Sequence, residues 1–350
     1  MASPTSVPVM NEEATEAKFT ARASLAPAMR PITIAVIGGF GNQLFQFAAA
    51  RSLAESTGRG MQLCFRRSDS PWPRRALRAI RSAFREIISG ADERFRLKAL
   101  IRSHDIARVQ SEAKQSDPRE DRSRGLNRRS LRSAFDDPSV QIAGIKILRQ
   151  PADVATLLTG TPLEADVTPL IAGYMQGDRF VAPQIDALSR VITLPTTSPY
   201  CAHWIPRLAD RPTVGVHVRR GDYLNPGPSK RLHTLPMWWF ERAAAIAAER
   251  AGGTVRFAVF TDEPAWVSEH LRLPGDTVMV SGQGSATGLE DFTVLSSCAH
   301  HIIANSTFGW WAARLSVGSG MVIAPTRWLT SRELPNDYLP AAWQTLENLG

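Results

Sequence analysis

The chain has 350 residues, which is enough for one large domain or two ordinary ones with a substantial hydrophobic core. Its 41 Lys and Arg outnumber its 33 Asp and Glu, giving a net charge of +8, and 43% of its residues are hydrophobic. These values are typical of a soluble globular protein. The three scattered cysteines exclude a disulfide framework and favour a reducing compartment. No apolar run is long enough for a membrane helix.

The positive charge is concentrated in one stretch of the chain. Residues 66–132 contain 19 Lys and Arg against 9 Asp and Glu, so the remainder of the protein is slightly acidic. We interpret this stretch as an Arg-rich insertion and residues 1–30 as a disordered N-terminal tail. Such an insertion favours an anionic partner, either a nucleic acid or an anionic glycan or lipid surface. Few aromatic residues lie among the basic ones, which argues against a nucleic acid.

The N-terminal half begins with a predicted strand, a glycine turn and a helix. The apolar, β-branched run 32–37 ends at the turn 38–42, and apolar residues then recur at helical spacing as far as Gly58. Two further strands and a proline-rich crossover are predicted at residues 141–148, 168–176 and 195–212.

The C-terminal half alternates between strands and helices. Strands are predicted at 213–219, 255–261, 277–280, 301–304 and 321–324, and helices at 235–250, 264–271, 289–299 and 308–317. This alternation predicts a mainly parallel sheet with helices on both faces. Ligands of such sheets bind beyond the carboxyl ends of the strands, so the residues that follow each strand are the candidates for function.

The strand at 213–219 leads directly into polar residues. His217 and Arg219 are two apart and therefore share one face of the strand, whereas Arg220 points to the other face, and Asp222 follows. Arginine at the end of a strand suits bidentate contact with phosphate oxygens. The structural alternative is an ion pair between arginine and aspartate.

Two more predicted strand ends carry polar groups. Asp262 follows the strand at 255–261, and the residues after the strand at 301–304 are Asn305, Ser306, Thr307 and Phe308. Such groups cap the following helix, and the same free N–H groups form an anion site. Asp291, in the helix at 289–299, is by itself an ordinary carboxylate near a helix N-terminus.

Several catalytic motifs are absent from the sequence. The turn at 38–42 departs from GxGxxG because Leu44 occupies the position of the third glycine. There is no Walker motif, no GxSxG, no HExxH and no Asp-x-Asp pair, and the last absence argues against a metal-bridged nucleotide-sugar site. His300 and His301 are interpreted as a strand-edge pair and not as a metal site.

Four segments, taken in order, resemble the motifs of bacterial-type α-1,2-fucosyltransferases. They are GGFGNQLFQ at 38–46, HVRRGDY at 217–223, FTDEPAW at 260–266, and the segment 291–311 that ends in NSTFGWW. GYMQ at 173–176 also matches, so that the resemblance extends over about residues 32–330.

The resemblance implies an α/β, GT-B-like fold with two Rossmann-like domains facing a cleft, an acceptor-side domain at 31–200 and a GDP-fucose-binding domain at 201–350. It also implies inverting, metal-independent transfer of L-fucose to the 2-OH of a galactose-containing glycan, with GDP-β-L-fucose as co-substrate and no cofactor. We expect a cytoplasmic protein, and peripheral contact with the inner membrane through residues 66–132 is compatible with this activity.

The resemblance also assigns roles to single residues. Arg219 would hold the β-phosphate, His217 and Asp291 would contact guanosine, and the diphosphate and fucose would be lined by Ser306, Thr307 and Phe308. Gly41 and Asn42 would close the site from the N-terminal half. Further GDP-fucose contacts are expected from Arg220, Asp262 and Asn305.

The catalytic base is expected to be Asp222, because it is the acid nearest the Arg219–Arg220 pair. Its alternative role is to orient one of these arginines, and Glu263 and His233 are the other candidates for the base. Two other functions remain open at the level of sequence. One is a fucosyltransferase of another linkage, such as α-1,6, and the other is a nucleic-acid or anionic-surface binding protein.

Overall fold

The computed structural model describes residues 29–36, 38–65, 134, 137–225, 232–252, 255–282, 287–316, 320–330 and 334–348. The Arg-rich insertion 66–132 and residues 1–28 of the expected tail lie outside this range. The described part contains two parallel sheets flanked by helices, one sheet in each half of the chain. The predicted α/β class with two sheets is therefore confirmed. Among the described residues, no helix combines the length and apolar character that crossing a membrane requires.

The sheet of the N-terminal half has the strand order β2-β1-β4-β3, with every neighbouring pair parallel. Its strands are β1 (Ile32–Val36), β2 (Met61–Phe65), β3 (Ile145–Leu148) and β4 (Thr168–Ile171). The helices of this half are α1 (Phe40–Thr57), α2 (Pro151–Leu158), α3 (Ile185–Val191) and α4 (Pro199–Leu208). As predicted, α1 ends at Gly58, whose φ of 65° gives the left-handed C-cap that glycine adopts readily.

The sheet of the C-terminal half has the order β10-β9-β8-β5-β6-β7 and is also parallel throughout. Its strands are β5 (Thr213–Val218), β6 (Arg256–Thr261), β7 (Asp276–Met279), β8 (His300–Ile303), β9 (Val322–Pro325) and β10 (Gln344–Leu346). The helices are α5 (Met237–Arg250), α6 (Pro264–His270), α7 (Gly288–Ser296) and α8 (Thr307–Arg314). The predicted alternation of this half is confirmed, because every predicted strand and helix has an observed counterpart in the same order. β5 is buried along its whole length, as expected of a strand covered on both faces.

The region predicted as a proline-rich crossover between the halves contains the helix α4. Pro199 is compatible with the helix because it stands in the first turn, where its missing N–H has no intrahelical partner to lose. The Ser198 hydroxyl caps the same end by accepting the backbone N–H of Cys201 at 3.3 Å. The short elements β2, α2, α3 and β10 were not predicted, since they offer few residues for a periodic pattern. The two strands predicted at 141–148 and 168–176 are shorter than expected.

The two halves share a continuous hydrophobic core. The ring of Phe45 on α1 lies 4.6 Å from that of Trp310 and 5.1 Å from that of Trp311, both on α8. Phe40, at the start of α1, meets Phe292 of α7 edge to face at 4.8 Å. These aromatic contacts hold the first helix of one half against the last two helices of the other.

The residues that follow β9 return to the N-terminal half. The Trp310 indole N–H donates to the carbonyl of Tyr338 at 3.1 Å, and the backbone N–H of Asp178 donates to the carbonyl of Asp337 at 2.8 Å. Asp178 also pairs with Arg314 of α8 at 3.0 Å. This segment therefore reinforces the contact between the halves.

One backbone contact between the halves requires a glycine. A Cβ built on Gly41 of α1 would lie 2.5 Å from the backbone carbonyl group of Thr307 at the start of α8. Real Cβ atoms do not approach backbone atoms so closely, so the two helix N-termini meet only because residue 41 has no side chain.

Gly41→Ala is expected to destabilise the protein by about 1–3 kcal/mol, because the added methyl group overpacks a backbone contact that has little freedom to yield. In a helix without that contact, Gly→Ala would instead stabilise by about 0.5–1 kcal/mol, so the sign of the change is the test. Urea unfolding of the variant and the wild type measures it. A stabilised Gly41→Ala variant would contradict the proposed role of this contact.

Candidate functional site

The strand order of the C-terminal sheet defines where a ligand would bind. From β5 the chain proceeds outward through β6 and β7, and it then returns to place β8 on the other side of β5. In doubly wound sheets the crevice beyond the carboxyl ends of the strands at such a reversal is the usual ligand site. The segments that follow β5, β6 and β8 meet at this edge, because His217 is in register with Phe260 and with Ile303.

Arg219 lies at this edge between two carboxylates. Its Nη2 is 2.8 Å from Asp222 Oδ1, and its Nη1 is 3.1 Å from Asp262 Oδ2. Burial acts to lower the pKa of Arg219, but the two carboxylates outweigh it and raise the pKa. The guanidinium is therefore a permanent cation, held in one orientation yet still 32% exposed along its side chain.

Arg220 has different surroundings from Arg219, as their alternation along the strand predicts. Its Nε contacts Glu263 Oε2 at 3.3 Å, and its guanidinium stacks on the Trp266 ring at 3.2 Å from the ring centre. Its backbone N–H donates to Asp262 Oδ1 at 3.0 Å. Asp262 thus uses one oxygen for Arg219 and the other for the backbone of Arg220, which ties the ends of β5 and β6 together.

His217 is buried immediately before the arginines. Its ring stacks on Phe308 at 5.2 Å between centres, and a Cβ on Gly309 would lie 2.7 Å from its Nδ1. Burial, assisted by the positive charge of Arg219, lowers the pKa of His217 to about 3. The imidazole is therefore neutral near pH 7, and within the described part of the chain its Nδ1 has no hydrogen-bond partner.

The turn after β8 combines a helix cap with a structural anchor. The Ser306 hydroxyl accepts the backbone N–H of Phe308 at 3.3 Å and so caps α8. The Asn305 amide donates to the carbonyls of His233 and Trp328 at 2.9 and 3.0 Å. Asn305 is thus buried as a brace for neighbouring loops, while Ser306 and the next residue, Thr307, begin the helix at the ligand edge.

Asp291 has two hydroxyl partners that the sequence did not indicate. Tyr200 donates to its Oδ1 at 2.7 Å and Ser281 donates to its Oδ2 at 2.6 Å. Burial raises the pKa of Asp291 against the lowering effect of these hydrogen bonds. The Ser281 hydroxyl also accepts the backbone N–H of Thr261, the residue before Asp262. Asp291 lies in α7, and Ser281 therefore links it to the end of the strand β6.

In the N-terminal half, the turn after β1 and the segment after β4 are joined by a hydrogen bond. The Gln176 amide donates to Asn42 Oδ1 at 2.7 Å, across 134 positions of sequence. Asn42 follows Gly41, whose Cα faces Thr307. The glycine turn thereby adjoins the start of α8, and neither α1 nor α8 has an acidic side chain in its first turn that would oppose an anion.

The candidate bases differ in their availability. The Asp222 side chain is 53% exposed and pairs with Arg219 through Oδ1 alone. Glu263 is occupied by Arg220, and the His233 ring contacts the Asn348 amide at 2.8 Å. Of these candidates, Asp222 is the one that both borders Arg219 and is open to solvent.

The fold and the edge geometry define a doubly wound α/β protein with an arginine-centred ligand edge. Residues 206–347 match the model of a family described as Glycosyl transferase family 11. The matched residues include all of the C-terminal sheet.

The chain is also similar to curated glycosyltransferases over part of its length. The chain is 33% identical over 118 residues to the O-antigen biosynthesis glycosyltransferase WbnK of Escherichia coli, covering 33% of this chain and 39% of that protein. It is 32% identical over 142 residues to an alpha-1,2-colitosyltransferase of the same species, covering 39% of this chain and 48% of the relative. It is 35% identical over 121 residues to human galactoside alpha-(1,2)-fucosyltransferase 1, covering 34% of this chain and 33% of that protein. The chain thus spans less than half the length of these relatives.

Among solved structures, the chain is similar to NodZ alpha-1,6-fucosyltransferase co-crystallized with GDP. The TM-score is 0.44 at 18% sequence identity, covering 82% of this chain and 93% of that one.

The buried histidines predict a pH dependence of stability. Burial lowers the pKa of His217 to about 3 and that of His301 to about 4, whereas a histidine of the unfolded chain titrates near 6.5. Their contribution to stability is therefore complete above about pH 6.5 and is lost as the pH falls, since only the unfolded chain takes up these protons. At about pH 5 the two groups together should lower the free energy of unfolding by about 2–3 kcal/mol per pH unit.

Urea unfolding at a series of pH values between about 7 and 5 measures this slope. In the variant His301→Gln about half of the slope should disappear. An unchanged slope in that variant would show that the histidines do not cause it.

Proposed function

We propose that the protein transfers L-fucose from GDP-β-L-fucose to the 2-OH of a galactoside, with inversion and without a metal ion. The observation that carries this proposal is Arg219, fixed between Asp222 and Asp262 at the ligand edge of a family 11 domain. The relatives named as galactoside alpha-(1,2)-fucosyltransferases support the choice of sugar and linkage.

Stabilisation of the leaving group is the main electrostatic demand of this reaction. As the bond between fucose and phosphate breaks, negative charge grows on GDP, and without a metal ion this charge requires fixed cations and N–H dipoles. Arg219 supplies the cation, already oriented by its carboxylates. The N-terminus of α8, capped by Ser306, supplies N–H groups, and Thr307 and Phe308 extend this surface.

Recognition of guanosine would use His217 and Asp291. A neutral His217 offers hydrogen bonds without adding charge, and its stacking on Phe308 restricts the orientation of the ring. Asp291 supplies a carboxylate that Tyr200 and Ser281 hold in place, and a carboxylate is the natural acceptor for the adjacent N–H donors of guanine.

The attacking 2-OH needs a base, and Asp222 is the proposed one. Its Oδ1 pairs with Arg219, while its Oδ2 has no protein partner among the described residues. The same side chain can therefore orient Arg219 through one oxygen and accept the proton of the acceptor through the other.

The acceptor is proposed to bind to the N-terminal half as part of a galactose-containing glycan. We further propose that the protein is cytoplasmic and that residues 66–132 contact an anionic membrane peripherally. Contact with the membrane rests on the charge of that stretch alone.

One relative favours a second candidate donor. Because the chain is 32% identical to a protein named alpha-1,2-colitosyltransferase, a GDP-linked colitose is the alternative to GDP-fucose. An α-1,6 linkage is the alternative product. Donor and linkage are separate questions, and one assay addresses both.

The decisive experiment incubates the full chain with each GDP-sugar and a panel of galactosides, and determines the linkage of the product by NMR. We expect transfer from GDP-fucose, an α-1,2 linkage, and the same rate with and without EDTA. An α-1,6 product, or a preference for the colitosyl donor, would replace the corresponding part of the proposal. A clear loss of rate in EDTA that added divalent metal restores would refute the metal-free mechanism.

Arg219→Ala is expected to lower kcat by at least about 100-fold, the usual cost of removing one preorganised group that stabilises transition-state charge. The matched control is Arg211→Ala, which removes an equal charge from an exposed ion pair with Asp276 and should leave kcat unchanged. Circular dichroism and thermal unfolding establish that both variants fold. A folded Arg219→Ala enzyme with near wild-type turnover would disprove the leaving-group role.

A further inference from the structure

Tyr174 is a large side chain left exposed beside the candidate site. It is 42% exposed, although it directly follows the buried strand β4 and the buried residues Ala172 and Gly173. Aromatic side chains are commonly exposed singly, so exposure alone assigns no role to Tyr174. Two further observations, the backbone conformation around Tyr174 and its position beside Asn42, indicate a function for the exposed ring.

The backbone around Tyr174 is constrained to present it outward. The next residue, Met175, has a φ of 51°, and it is the one non-glycine residue with positive φ in the described part of the chain. Its side chain is buried, as is that of Ala172 on the other side. On the preceding residue, Gly173, a Cβ would collide with the carbonyl oxygen of Arg149. Strained backbone of this kind persists at sites where the presentation of a side chain matters.

A polar donor lies beside the Tyr174 ring. A Cβ on Gly38 would be 2.8 Å from the Cε1 of Tyr174 and 3.1 Å from the Nδ2 of Asn42, so both side chains border the same glycine. Gln176 engages the Asn42 Oδ1, and this fixes the amide with its Nδ2 unpartnered among the described residues. An exposed aromatic face next to an available N–H is the combination that recognises a sugar ring.

The position of Tyr174 and Asn42 in the fold also suits the binding of an acceptor sugar. Tyr174 and Asn42 lie beyond the carboxyl ends of β4 and β1, which are hydrogen-bonded neighbours in the N-terminal sheet. Asn42 is adjacent to Gly41, which touches Thr307 of the C-terminal half. The pair therefore borders the seam across which a donor and an acceptor would meet.

We propose that Tyr174 is a specificity-determining residue that stacks on the pyranose ring of the acceptor, while the Asn42 amide donates to one of its hydroxyls. This inference rests on the proposed function and names its acceptor subsite. In galactose the axial 4-OH leaves the C–H groups of C3, C4 and C5 on one face of the ring, which gives a continuous apolar surface. A flat aromatic ring distinguishes that face from the corresponding face of glucose, where the 4-OH is equatorial.

The test compares Tyr174→Ala with Tyr174→Phe, which keeps the ring, and with Trp238→Ala, which removes an aromatic side chain of similar exposure, 41%, from α5. With saturating GDP-fucose, Tyr174→Ala should raise the KM for a galactoside at least about tenfold and reduce its preference over the matching glucoside. Tyr174→Phe and Trp238→Ala should resemble the wild type. Hydrolysis of GDP-fucose without acceptor, and the thermal shift caused by GDP, should be the same in all four proteins.

Three results would overturn the inference. The first is an unchanged KM for the galactoside in Tyr174→Ala. The second is a KM in Tyr174→Phe that rises as much as in Tyr174→Ala. The third is a loss of GDP-fucose hydrolysis in Tyr174→Ala as large as its loss of transfer, which would assign the ring to the donor site. Saturation-transfer NMR with a galactoside in the presence of GDP separates this inference from the proposed function. Galactoside binding that disappears in Tyr174→Ala would support the subsite even if the wild type transferred no fucose, and binding that persists would refute it.

Discussion

The structure depends on the absence of side chains at two helical positions. Gly41 allows the N-terminus of α1 to touch the backbone of Thr307, and Gly309 allows the first turn of α8 to pack on the ring of His217. From there a chain of aromatic contacts continues from His217 through Phe308 and Phe292 to the N-terminal half. Because close-packed interiors transmit displacement, a bulkier residue at either glycine would move the strand end that carries the arginines.

The charges at the ligand edge are locally balanced, which explains why the net charge of +8 says little about the site. Arg219 is compensated by one half-buried carboxylate, Asp262, and by one exposed carboxylate, Asp222. Exposed ion pairs contribute little stability, so the orientation of Arg219 depends mainly on Asp262. Asp262 is also bonded to the backbone of Arg220, which fixes its position at the end of β5.

Much of the fold and part of the site could be predicted from sequence, because both depend on local periodicity. Alternation predicted different surroundings for Arg219 and Arg220, and the structure gives the two side chains different partners just beyond the end of β5. The partners of Asp291 could not be predicted, since Tyr200 is 91 positions away and lies in a proline-rich segment taken for a crossover. Asn305 shows another limit: its amide donates to the carbonyls of His233 and Trp328, and nothing in the local sequence around residue 305 indicates these distant partners.

The weakest and the strongest parts of the sequence resemblance meet in the structure. The family model covers the C-terminal half, whereas the N-terminal half contributes only the glycine turn and the GYMQ segment. In the structure these two segments meet through Gln176 and Asn42, at the carboxyl ends of the neighbouring strands β1 and β4. The carboxyl edge of the C-terminal sheet, where the strand order reverses between β5 and β8, is reached through Gly41 and Thr307. The proposed two-substrate transfer requires both edges to face one gap, and the contact between Gly41 and Thr307 brings them together.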